Sequence, residues 1–294
     1  DAAVFDRVRR RVTEVAERDP TLVAMLCAAV GTVALSVPFG PMALRVDFDV
    51  IGAHLLGALA SVLVGSAWTS VGREKTARVV ALGRRLVPEV VGVLPLAGVV
   101  TLAGEIRVQS IVGAQGGACW QWNLFHDPAV FTLGVVALAA VALQSDVVTS
   151  GGAPRGLRVV AAAVLIARCA LLAALFLGGA SLPGVTQAAQ ESSVALQMFG
   201  AALFTMKAWG LALAVQVGGS ALPRLRGERR RWLVWAWLLP ISVGCAALVL
   251  GGVALAGIAG PAREALVRVT AWATFGVVAI VGGVRAFARG EKFH

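Results

Sequence analysis

The chain has 294 residues, 58% of them hydrophobic and 14% charged, with a net charge of +10 and a mean hydropathy of +0.82. Soluble domains carry about 25% charged residues, so this composition excludes an ordinary water-soluble enzyme. Four scattered cysteines without a CxxC, three histidines far apart and no glycine-rich phosphate loop give no case for iron–sulfur, zinc, disulfide or nucleotide chemistry within the chain.

A membrane-spanning helix needs roughly 20 mostly apolar residues. Taken in chain order, the apolar runs predict spans at 21–38, 50–68, 87–104, 128–144, 159–180, 199–219, 232–258 and 266–284. The expected fold is all-α, a polytopic bundle of about eight transmembrane helices forming one domain over 1–294. Of the 26 Lys and Arg, twenty fall in the N-terminal stretch and in every second gap after it, four fall on the opposite side, and Arg168 and Lys207 lie inside spans. The positive-inside rule places both termini in the cytoplasm. Anionic lipid headgroups, not nucleic acid, are the expected partners of this charge, because it flanks the bilayer ends. Arg7 to Arg11 stand too far from the first apolar run for a secretory signal peptide, so none is expected.

Ionisable groups at bilayer depth are costly unless paired or hydrated. Glu89, just inside the third span, together with Arg168 and Lys207 in the fifth and sixth, are therefore the candidate functional residues. One reading is a set of buried charges that passes protons. The other is structural: Glu89 pairs with Arg84 or Arg85, while Arg168 and Lys207 meet buried carboxylates or neighbouring subunits. His54, in the middle of the second span, reads as a helix–helix hydrogen bonder. Trp120, Trp122 and Phe125 read as an interfacial aromatic belt.

Several phrases occur together in order: Trp68-Thr69-Ser70, Val87-Pro88-Glu89-Val90, Gly98 to Gly104, Ile111-Val112-Gly113-Ala114-Gln115, Trp120-Gln121-Trp122-Asn123, Leu175 to Gly179, Phe204 to Lys207, Leu222 to Glu228, Trp235, and Leu238-Leu239-Pro240. Their order and spacing, over roughly residues 20–255, resemble the membrane subunit of respiratory complex I (NADH:quinone oxidoreductase) that joins the peripheral arm to the membrane arm, called the H subunit in bacteria. The chain also departs from that pattern. The family's first helix, interfacial helix and quinone-site segment have no counterpart before Arg7. Its acidic loop is reduced to 145–154, with Asp146 the one acid. A carboxylate expected in the next helix is replaced by small apolar residues around Ala161, and the arginine expected before Leu-Pro-Arg is Gly219.

The resemblance implies a multi-pass subunit of the bacterial inner (cytoplasmic) membrane in a proton-translocating, complex I-like assembly. It implies no redox centre or cofactor in this chain itself, with quinone held at an interface with partner subunits. Glu89 and Lys207 become proton-path candidates, with Arg84 and Arg85 beside Glu89. Arg224, Arg226 and Glu228 match the charged loop. The alternatives are an H-type subunit beneath a hydrogenase-like nickel–iron arm, and a non-catalytic structural paralogue.

Overall fold

The computed structural model describes residues 49–70, 75–116, 118–145, 155–221 and 232–259. The expected spans 21–38 and 266–284 lie outside these residues, as does the loop with Arg224, Arg226 and Glu228. In order, the helices are α1 (Val50–Ser70), α2 (Lys75–Ala103), α3 (Val108–Gln115), α4 (Asn123–His126), α5 (Pro128–Ala142), α6 (Arg155–Phe176), α7 (Gln187–Ser192), α8 (Val194–Ala221) and α9 (Leu239–Ala259). A 3-10 turn at Cys119–Gln121 precedes α4, and a π-helical turn at Val234–Leu238 leads into α9. Among the described residues there is no β-strand, only one antiparallel bridge between Asp49 and Arg107.

Local chemistry sets several of these ends. Asp127 caps α5, its carboxylate accepting from Ala129 N at 2.6 Å, and Pro128 occupies the first turn, where its missing N–H does no harm. Thr186 caps α7 in the same way. The α2 helix starts at Lys75, well before the apolar run expected at 87. Lys, Ala, Val, Leu and Arg tolerate helix and only Gly83 interrupts them, so the basic segment prolongs the span as helix instead of forming a loop. Pro88 and Pro95 stand inside α2, both buried. Membrane helices accept such breaks when neighbours pack against them.

Among the described residues three helices are long and apolar enough to cross a membrane: Leu157–Phe176 in α6, Val194–Gly218 in α8, and Val234–Ala254 through α9. The apolar stretches Val50–Val64, Pro88–Ala103 and Pro128–Ala142 are shorter. The α6 helix is central: 72% of its span is buried, against 28% for α8 and 17% for α9. It packs on α1, α5 and α8, while α2 packs on α1, α5 and α9. Ile111, Leu133 and Leu175 are fully enclosed between them. The outer faces of α8, of the π-helical turn and of α9 expose Met198, Met206, Trp209, Leu213, Trp235 and Leu248, an apolar covering suited to acyl chains.

Glycine lets two of these helices approach closely. A methyl group on Gly98 of α2 would fall 2.6 Å from Leu133 Cδ1 of α5, itself fully buried. Small residues serve this purpose in lipid, where close backbone packing replaces the hydrophobic drive. Gly98→Leu should therefore destabilise the chain by about 1–3 kcal/mol, as overpacking does elsewhere. A lowered melting midpoint of the purified chain checks this, with Val90→Leu on the exposed face of α2 as the unaffected control.

Candidate functional site

Glu89 of α2 and Arg168 of α6 form a bidentate ion pair in the middle of the bundle. Arg168 Nη1 donates to Glu89 Oε1 at 2.9 Å and Nη2 donates to Oε2 at 2.8 Å. Both side chains are buried, with about 7% or less of their surface exposed. Nη1 also donates to Ser61 Oγ of α1 at 3.1 Å and to Gln144 Oε1 just beyond α5. One guanidinium of α6 thus gathers groups from three other segments of chain. Charge-assisted, forked geometry of this kind is the strongest arrangement open to a carboxylate and an arginine. It is also what lets two charges stay buried among apolar helices.

His54 of α1 completes the cluster. Its Nε2 lies 3.9 Å from Glu89 Oε2, is buried, and has no hydrogen-bond partner. The Nε2 edge of the imidazole therefore faces a carboxylate without bonding it. Helical spacing explains the assembly. His54, Gly57 and Ser61 share one face of α1 at i, i+3 and i+7, and Ala161 and Arg168 share one face of α6 two turns apart.

The partner expected for Glu89 was Arg84 or Arg85. Their backbone belongs to α2, and the side chains lie outside the described ones. The partner the structure presents is Arg168, 79 residues away in sequence. No local pattern could have named it. The signal available was only that the apolar runs 87–104 and 159–180 each carry one charged residue.

Lys207 of α8 is not brought to this pair. Its Nζ donates to Leu177 O at 2.7 Å and to Gly179 O at 2.9 Å, and it lies 4.2 Å from the centre of the Trp122 ring. Leu177 follows Arg168 by nine residues, which places the ammonium about 13 Å further along the α6 axis. There it closes the end of α6. A helix leaves its last four carbonyls unpaired, and in lipid every one must be met from within the protein.

The neighbouring segments meet them in turn. Gln115 Nε2 donates to Ala174 O at 2.9 Å, and Asn123 Nδ2 to Leu175 O at 2.9 Å. Past the end of the helix, Gln190 Nε2 donates to Ala180 O at 2.9 Å. Gln115 Oε1 in return accepts from Gly178 N at 2.9 Å and from Asn123 N at 3.1 Å. A cation at a helix C-terminus also meets the negative end of the dipole. The phrases at Ile111–Gln115, Trp120–Asn123, Leu175–Gly179 and Phe204–Lys207 therefore converge on one polar plug. Gly178, at φ +69°, turns the chain out of α6, and a methyl group there would fall 2.5 Å from Trp122 Nε1. Gly178→Ala should cost about 1–2 kcal/mol from left-handed backbone alone and displace the indole. A shift in Trp122 fluorescence together with a lower melting midpoint checks both.

Among the described residues no group of His, Cys, Asp and Glu is placed to hold a metal ion. Cys119, Cys169 and Cys245 are free thiols. Two cavities touch Arg168, each of about 20 Å³. That is room for water, and far below the several hundred Å³ of a small-molecule pocket.

No curated protein matches the chain. Residues 151–250, from α6 through the first half of α9, match the family model described as NADH dehydrogenase, and this match fits an H-type membrane subunit of complex I.

Proposed function

We propose that this chain is the H-type membrane subunit of a proton-translocating NADH:quinone oxidoreductase, linking the peripheral electron-transfer arm to the membrane arm near the quinone site. The observation that carries this reading is the family match over residues 151–250. That stretch holds Arg168 and the plug residues Leu175–Gly179 and Lys207. In this reading the chain crosses the bacterial inner membrane about eight times as one domain, with both termini cytoplasmic and anionic lipid around its basic loops. The redox centres belong to partner subunits, and quinone binds at an interface with them. Arg224, Arg226 and Glu228, with the basic end of α2 at Arg84 and Arg85, face the peripheral arm.

Within the subunit, Glu89 is the proton-exchanging carboxylate and Arg168 its counter-charge. Lys207 supports the path through the position of α6. The single acid in the loop 145–154 favours a second reading, a quinone-independent assembly beneath a nickel–iron arm.

Extraction in mild detergent followed by mass spectrometry of the companions separates the two. Flavin and NADH-oxidising subunits support the first reading, and a nickel–iron large subunit supports the second. A particle with another, intact H-type subunit makes this chain a structural paralogue, and a chain isolated alone removes the proposal. Glu89→Gln keeps one oxygen acceptor for Arg168. It should leave the particle assembled while lowering coupled proton uptake; unchanged uptake would refute the proton role.

A further inference from the structure

The two small cavities lie on opposite sides of Arg168, which lines both, along the length of the bundle. The first is lined by His54 and Gly57 of α1, Gly92 of α2, and Leu171 of α6, with Arg168 at its edge. The second is lined by Ser61 of α1, Gln144 and Ser145 after α5, and Ala161 of α6, again with Arg168 at its edge. Residue order along each helix fixes their relation. On α1 the first cavity touches 54 and 57 and the second touches 61. On α6 the second touches 161 and the first touches 171. Arg168, held in place by Glu89, therefore forms a polar partition between two chambers, with His54 in the wall of the first. Each has a volume of about 20 Å³, which exceeds the roughly 10–15 Å³ that one water requires.

Each chamber also offers a buried polar atom with no partner in the protein: His54 Nε2 on one side and Gln144 Nε2 on the other. Gly92 is the residue that keeps the first chamber open. A methyl group there would stand 3.2 Å from His54 Cε1, 3.8 Å from His54 Nε2 and 3.9 Å from Arg168 Nη2. The space left by the missing side chain is thus the space between the imidazole and the guanidinium.

The geometry points to a two-chamber water site in which His54, not Glu89 alone, receives the proton and hands it across the partition. An excess proton arriving on water in the first chamber bonds to His54 Nε2 and leaves neutral water behind, giving an imidazolium that faces Glu89 Oε2. A small turn of the ring closes the 3.9 Å gap. The N–H bond then breaks as the O–H bond forms on Glu89, while Arg168 keeps Ser61 and Gln144 as acceptors. Glu89 then gives up the proton toward the second chamber, whose water stands beside Gln144, the cluster's member in that chamber's wall, and regains Arg168. The charged groups facing His54 among the described residues are Glu89 from α2 and Arg168 from α6. This inference rests on the proton role proposed for Glu89 and assigns the group that loads it.

Gly92→Ala is the test variant, because alanine strengthens a helix interior by about 1 kcal/mol over glycine while filling the chamber. The full chain in lipid nanodiscs, labelled with ¹⁵N-histidine, gives signals from His54, His126 and His294, and His54→Asn identifies the first. Expected is solvent exchange of the His54 N–H that slows about tenfold or more in Gly92→Ala, with His126 unchanged. Equal exchange in both proteins, or an inert His54 in the wild type, overturns the two-chamber site. In the assembled particle, Gly92→Ala and His54→Asn should each lower the rate of coupled proton uptake by about 10²-fold, the low end of what positioned acid–base groups contribute, at unchanged subunit content. Full uptake in either overturns the relay. If no electron-transfer partner co-purifies, the proposed function fails while the exchange measurement still decides the chambers.

Discussion

Arg168→Met is expected to destabilise the chain by about 3–5 kcal/mol, the usual consequence of leaving one member of a buried ion pair without the other. Glu89 would then stand as a carboxylate at bilayer depth, with Gln144 and Ser61 deprived of their shared donor. Glu89→Leu should do similar damage by stranding the guanidinium. The double variant Arg168→Met/Glu89→Leu should recover most of the loss, because replacing both charges with apolar groups of similar volume is often close to neutral. A double-mutant cycle on the melting midpoint of the purified chain reads this directly. If the double variant is as unstable as the sum of the singles, the two residues are not energetically coupled and the pairing is wrong. If it is stable but no longer supports proton uptake, the pair serves function at the expense of a simpler core.

Lys207→Met is the second large effect. It removes two charged hydrogen bonds to Leu177 O and Gly179 O and the contact with the Trp122 face. Each carbonyl left unpaired costs about 1–3 kcal/mol, and the lost cation–aromatic contact about 0.5–2 kcal/mol. A loss on the order of 3 kcal/mol is expected, with the end of α6 fraying first. Amide exchange should therefore rise at Gly178 and Gly179 while the Glu89–Arg168 region stays protected. Lys207→Arg should be intermediate, since a planar fork cannot reproduce the compact ammonium between two carbonyls and a ring. Particles that still assemble with Lys207→Met should move protons at the wild-type ratio per electron. Normal assembly with abolished proton movement would make Lys207 a carrier and end the capping account.

These two sites show where sequence reading succeeds and where it stops. The helices α5, α6 and α8 fall close to the runs at 128–144, 159–180 and 199–219, because apolar content over 20 residues is a local quantity. The start of α2 was not legible: a basic stretch reads as loop by charge, yet its residues favour helix. Glu89, Arg168 and Lys207 stood out one by one as ionisable groups in apolar runs. Their partners did not. The Glu89–Arg168 pairing crosses 79 residues, and Lys207 reaches back 30 and 28 residues to its carbonyls. Gly92 gave no signal at all, since its meaning lies in the side chain it lacks beside His54.

Composition and the spacing of apolar runs were enough to make this a helical chain built for lipid, since transfer of a 20-residue segment depends on what that segment contains. Which charge answers which, and where water-sized space remains beside them, was decided only when α1, α2, α5 and α6 came together. Coulomb attraction, hydrogen-bond geometry and packing act through space between helices, and the linear order of residues carries no record of that distance.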